Sequence, residues 1–135
     1  MTGLLDPLYF AFYEEIDLCR RARALGFEVV IAPRSRIHHF RGGSWEANAQ
    51  IQRERNYRCD RSQMIFNLTD PQRSAAVNLG WALRTIATKL REQPTVEKFQ
   101  DLMRIQLDLW RVAGEIYRKW RRDRSMIEAG GRGCD

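Results

Sequence analysis

The apolar positions of this chain follow short, changing rhythms before residue 44 and long, helix-like ones after it. Leu8-Tyr9-Phe10-Ala11-Phe12-Tyr13 is apolar and aromatic with no polar alternation, so it is expected to be buried as a strand or a tight connection. Ile16, Leu18, Cys19, Ala22 and Leu25 then form a stripe near 3.6-residue spacing, which predicts a helix over residues 14–25. Its first turn holds Glu14, Glu15 and Asp17, where the helix macrodipole favours acids, and Arg20, Arg21 and Arg23 follow toward its end. Gly26 suits the left-handed position just after a helix. Phe27-Glu28-Val29-Val30-Ile31-Ala32 is short and β-branched, which predicts a strand ended by Pro33. Residues 37–44 read as a loop with glycine freedom at Gly42 and Gly43.

Everything beyond reads as helix. Ser44 can cap a weakly periodic helix running to Leu68. Asp70-Pro71 offers a capping carboxylate and a proline at the first helical position, which predicts a helix start there; that helix carries Val77, Leu79, Trp81, Leu83, Ile86 and Leu90. Pro94-Thr95 breaks and restarts the chain. A last helix over residues 95–124 carries a stripe that includes Phe99, Leu102, Leu109, Ile116 and Trp120, and would be ~45 Å long. The glycine-rich residues 130–133 are expected to be disordered. The domain organisation expected is an incomplete segment over 1–68, a helical extension over 69–128 and a tail over 129–135.

Composition narrows the setting. The chain has 135 residues, a 44% hydrophobic fraction and a net charge of +6. A basic surface attracts phosphates, whether of nucleic acid, anionic lipid or a nucleotide diphosphate. The three cysteines, Cys19, Cys59 and Cys134, are odd in number and form no Cys-x-x-Cys, which argues against a disulfide framework or zinc site and for free thiols in a reducing compartment. No apolar run approaches the ~20 residues that cross a bilayer, and no secretory signal is visible.

Candidate chemistry lies in residues 14–44, and each feature has a plain alternative. Glu14, Glu15 and Asp17 serve equally as helix-start acids or as a general base, since carboxylates held together resist ionising together. Adjacent His38 and His39 point to opposite faces of an extended segment, so one at most serves a given site, as a structural residue or a metal ligand. Gly42-Gly43-Ser44 entering a helix could present backbone N–H groups to a phosphate, with Arg41 beside them, or be an ordinary loop. Arg118, Lys119, Arg121, Arg122 and Arg124 around Trp120 suit a solvated helix end, a membrane interface or nucleic acid.

Taken in order, Gly3-Leu4-Leu5-Asp6, the aromatic stretch, Glu14-Glu15-Ile16-Asp17-Leu18-Cys19-Arg20-Arg21-Ala22, Gly26, the run to Pro33, His39, Ser44 and Arg55-Asn56 form a series. It resembles the acceptor-side half of family 2 glycosyltransferases of the GT-A fold, most like the rhamnosyltransferase-type members. The resemblance covers roughly residues 3–68. It implies an α/β family remnant, mostly α in this chain: a short helix–strand GT-A C-terminal half followed by long helices.

The roles implied are specific. Glu15 stands where the family carries an Asp that acts as catalytic base, with one methylene more; Glu14 and Asp17 match the neighbouring acids. His39 matches a histidine that helps hold the donor's metal, and Gly42, Gly43 and Ser44 match the turn near the donor phosphates. The activity implied is inverting transfer of a sugar from a nucleotide-sugar donor to a hydroxyl of a cell-surface glycan or lipid-linked acceptor. The family's nucleotide-binding half and its Asp-x-Asp motif are not in this sequence. The chain is therefore expected to be part of a transferase, inactive alone, needing Mn2+ or Mg2+ only when the missing half is supplied. The location expected is cytoplasmic, at the inner face of an anionic membrane. The alternative is a basic helical module without catalysis, binding a membrane surface or, less in keeping with the series, nucleic acid.

Overall fold

The computed structural model describes residues 5–38 and 48–130. Five helices follow in order: α1 (Glu14–Ala24), α2 (Ala49–Leu68), α3 (Ala75–Glu92), α4 (Val96–Arg111) and α5 (Ala113–Gly130). Helix α2 is the hub, packing against α3, α4 and α5. It also carries residues 8–13, through hydrogen bonds from Arg61 and Ser62 to the carbonyls of Leu8 and Ala11. A helix covered from several directions needs no single apolar stripe, which explains the weak periodicity of this stretch. Met64 and Ile65 of α2 meet Leu102, Ile105 and Leu109 of α4, Ile116 of α5, and Leu8 and Tyr9 from the N-terminal segment in one core cluster.

The expected α/β organisation is not found, because the described residues contain no strand. Residues 27–32 are neither helix nor strand, and their apolar side chains stand in solvent, with Val30 76% and Ile31 89% exposed. A β-branched run becomes a strand only when a neighbour takes up its backbone hydrogen bonds and a packed face buries its side chains. No described segment offers either, so the helix–strand remnant gives way to an all-helical arrangement. Residues 8–13 are the tight connection rather than a strand, with Leu8 and Tyr9 buried.

Two helix boundaries also differ from expectation. Asp70-Pro71 does not start a helix; Asp70 Oδ1 instead accepts from the Gln72 N–H at 3.0 Å, closing a local turn. Helix α3 begins five residues after Asp70, where Ser74 Oγ accepts from the Val77 N–H at 3.3 Å. The detour is held by buried Asn78, whose Nδ2 donates to the carbonyls of Leu68 and Asp70, and by Trp120 Nε1, which donates to those of Asp70 and Arg73. These bonds satisfy loop carbonyls that a helix would have paired internally. The single long helix expected over 95–124 is two, interrupted at Val112. The Val112 carbonyl accepts from the N–H groups of both Glu115 and Ile116, which restarts the chain as α5. The interruption lets α4 bury Leu102, Ile105 and Leu109 while α5 buries Ile116, Lys119 and Asp123.

The start of α1 at Glu14, the left-handed Gly26 (φ 86°) and the Thr95 cap of α4, whose Oγ1 accepts from the Lys98 N–H at 3.1 Å, follow the sequence pattern. Asp60 of α2 holds Lys89 of α3 at 2.6 Å and Lys98 of α4 at 2.5 Å, so one carboxylate ties three helices. The tail expected from residue 129 is still helical at Ala129 and Gly130, and the rest of it, like the expected cap Ser44, lies outside the described residues.

Ile105 is fully buried whereas Leu107, two positions on, is 57% exposed. In urea unfolding, Ile105→Ala is expected to cost ~2–5 kcal/mol. Leu107→Ala is expected to stay within about 0.5 kcal/mol of the parent.

Candidate functional site

The backbone entering α1 is strained at two consecutive residues. Phe12 and Tyr13 have φ of 69° and 67°, the left-handed region that costs a bulky side chain about 1–3 kcal/mol each. Side chains of α2 hold the corner. Ser62 Oγ donates to the Ala11 carbonyl at 2.8 Å, and Arg61 Nη1 to that of Leu8 at 3.0 Å. The Arg58 guanidinium lies 3.9 Å from the Phe10 ring centre, and that of Arg55 lies 5.8 Å from Phe12. The Tyr13 ring stands 5.4 Å from Phe66. Positions 55, 58, 62 and 66 recur three or four apart, so one face of α2 grips the whole corner.

Immediately after this corner the three candidate carboxylates part ways. Glu15 is exposed at the first turn of α1. Glu14 is half-buried, and its Oε2 is shielded from solvent with no hydrogen-bond partner among the described residues. Asp17 is fully buried and fully committed. Its Oδ1 accepts from Arg20 at 2.8 Å and from the Tyr9 hydroxyl at 3.3 Å; its Oδ2 accepts from Arg21 at 2.9 Å and from Lys119 at 3.0 Å. The catalytic role given to Asp17 therefore has no free oxygen to rest on in this arrangement.

Lys119 sits at the centre of this network. Its ammonium, on a side chain only 2% exposed, lies 2.7 Å from Asp123, 3.0 Å from Asp17 and 3.5 Å from Asp6. Arg122 closes the outer side, at 2.7 Å from Asp6 and 3.0 Å from Asp123. Arg20 extends the network to α2: it donates to the Phe66 carbonyl at 2.8 Å and to Thr69, and stacks 3.9 Å from the Phe66 ring centre. Burial pushes the Asp17 carboxyl up, but Lys119, Arg21 and Arg20 outweigh it and hold the group below the usual carboxylate range. Asp6 is likewise lowered: burial opposes, while Arg122, the Leu8 N–H and Lys119 prevail. The Tyr9 hydroxyl is pushed well above its ordinary value by burial and by the Asp17 charge.

Thr69 and Asp123 did not stand out in the sequence, Tyr9 and Asp6 entered only as members of the ordered series, and Lys119 only as part of the basic run around Trp120. A signal existed for one pair: Asp123 is the single acid within the run 118–124 and stands four residues after Lys119, the spacing of an intrahelical ion pair. His39, Gly42, Gly43 and Ser44 lie outside the described residues, and His38 is exposed. Among the described residues no group of three or more His, Cys, Asp or Glu side chains could hold a metal ion. The three clustered carboxylates Asp6, Asp17 and Asp123 surround the Lys119 ammonium instead. Cys19 and Cys59 are partly buried free thiols, the latter pushed up by burial and by Asp60. Among the described residues no helix is long and apolar enough to cross a membrane.

Comparison of the chain with protein-family profiles, with curated proteins and with solved structures yields no match.

Removing one partner of a buried ion pair strands the other, so Lys119→Met and Asp17→Asn are each expected to lose ~3–5 kcal/mol at neutral pH. Because the folded Asp17 and Asp6 are lowered, the stability they contribute is complete above the unfolded carboxylate range near ~4 and is lost as pH falls through their folded values. Urea titrations at stepped pH should show the parent weakening below about pH 4 and Asp17→Asn depending less on pH there.

Proposed function

We propose that this chain supplies the acceptor-side residues of an inverting glycosyltransferase of family 2, rhamnosyltransferase-like, with Glu15 as the base. The ordered series from Gly3 to Asn56 suggests the family. The observation that carries the reading is the presentation of Glu15: an exposed carboxylate on the first turn of α1, delivered by two left-handed aromatic residues that α2 holds in place. Strain of this kind collects where surrounding contacts must aim a group rather than merely bury it. Asp17 immobilises the helix that bears Glu15, through Arg20, Arg21 and Lys119, and so acts as a positioning residue.

In this chemistry the Glu15 carboxylate takes the proton of an acceptor hydroxyl. The oxygen attacks the anomeric carbon of the donor sugar, and the bond to the nucleotide diphosphate breaks on the opposite face, which inverts the configuration. Donor binding falls to a nucleotide-binding half outside these 135 residues, which hold no Asp-x-Asp. The exposed apolar residues 27–32 are a surface that such a partner would cover. The reading carries a cytoplasmic setting at the inner face of a membrane, with a glycan or lipid-linked acceptor.

The test is sugar transfer by the chain combined with a family 2 nucleotide-binding half, in trans or fused, with and without Mn2+. Glu15→Gln is expected to reduce kcat by roughly 10²-fold or more while leaving the fold intact by circular dichroism. An unchanged rate would reject Glu15 as base, and no transfer by any completed pairing would reject the family reading.

A further inference from the structure

A second feature lies away from α1. Side chains of α2, α3, α4 and α5 line an apolar groove of about 290 Å³, with Met64 and Leu68 of α2 among them. Leu79 and Leu83 of α3 stand on one wall; Trp110 at the end of α4 and Tyr117 of α5 stand on the other. These four are 53%, 57%, 77% and 54% exposed. Large apolar side chains gathered in this way mark a surface that meets something other than water.

The charges around the groove select what that is. Residues 113, 117, 120, 121 and 124 share one face of α5, so Arg121 and Arg124 flank the aromatic rim. The Arg121 guanidinium lies 6.0 Å from the Tyr117 ring centre, and that of Arg124 lies 5.5 Å from Trp120. Arg121 forms no ion pair among the described residues, whereas Arg124 is paired with Glu128 at 2.9 Å and the arginines of the Asp17 network are all engaged. On the opposite wall, α3 carries no acid before Glu92. Apolar and aromatic side chains beside an unpaired arginine match the boundary between acyl chains and anionic headgroups. Among the described residues no helix could cross the bilayer, so the contact is interfacial.

We infer that the α3–α5 groove is a docking face for an anionic bilayer, with Leu79, Leu83, Trp110 and Tyr117 entering the acyl boundary while Arg121 meets lipid phosphates. No carboxylate of α1 enters this inference, which holds or fails independently of sugar transfer. Flotation of the full chain with vesicles tests it, comparing 30% phosphatidylglycerol in phosphatidylcholine with pure phosphatidylcholine. Binding to the anionic vesicles is expected, with a blue shift of tryptophan emission, and little binding to the neutral ones. Arg121→Ala should weaken binding about fivefold, and Trp110→Glu roughly tenfold or more, with unchanged circular dichroism. Equal binding by Trp110→Glu would overturn the inference, as would equal recovery with neutral vesicles. So would absence of vesicle binding by a chain that self-associates through this face in sedimentation, or that binds duplex DNA with undiminished affinity after Trp110→Glu.

Discussion

The arrangement of the N-terminal segment depends on one buried ammonium. Lys119 brings a positive charge into a site that contains Asp6, Asp17 and Asp123, and none of these charges is affordable there without the others. Desolvating a carboxylate costs several kcal/mol, which the mutual attraction offsets only when every oxygen finds a donor. Tyr9, Arg20, Arg21, Arg122 and the Leu8 N–H supply those donors. Such a network adds little net stability over an apolar core of equal volume, but it has few alternative pairings. Its contribution is to fix the register of α1 against α5, which an apolar contact between two short helices would leave loose.

The same restriction explains why α1 can present a strained corner. An eleven-residue helix with no side-chain cap at its start would fray at its N-terminus if left alone. Here its middle is locked by charge while α2 grips the preceding aromatics, so Phe12 and Tyr13 have no room to relax into the ordinary left side of φ space. The exposed Glu15 is thus held from both directions, and the groove between α3 and α5 lies at a different part of the molecule. Two surfaces of different chemistry, one acidic and strained, the other apolar and basic, share the single hub α2.

What was legible in the sequence was local. Glu14 to Ala24 announces itself by acids at the start, a stripe and a glycine at the end, and the structure places α1 there with Gly26 at positive φ. The restart of the chain at Pro94-Thr95 is equally local. The strand expected at 27–32 was not legible, because pairing is a property of two segments and β-branched residues describe only one. Asp70-Pro71 misled because a carboxylate that can cap a helix can also close a turn two residues on, and the deciding contacts come from Asn78 and from Trp120, fifty residues away. The break at Val112 follows from burial on both sides of it rather than from a proline. Asp17 matched a family acid in sequence, yet its partner Lys119 was hidden in a basic run that looked solvated.

The 102-residue separation of Lys119 from Asp17 has a consequence during synthesis. At ~5–20 residues per second, α1 leaves the ribosome roughly 5–20 s before Lys119 is made. Throughout that interval Asp17 has only Arg20 and Arg21 of its own helix as charge partners, while α2 can already form and take up residues 8–13. Helix α1 is therefore made well before the α5 residue that fixes it, and it stays open until then to whatever chaperone or partner chain reaches it first.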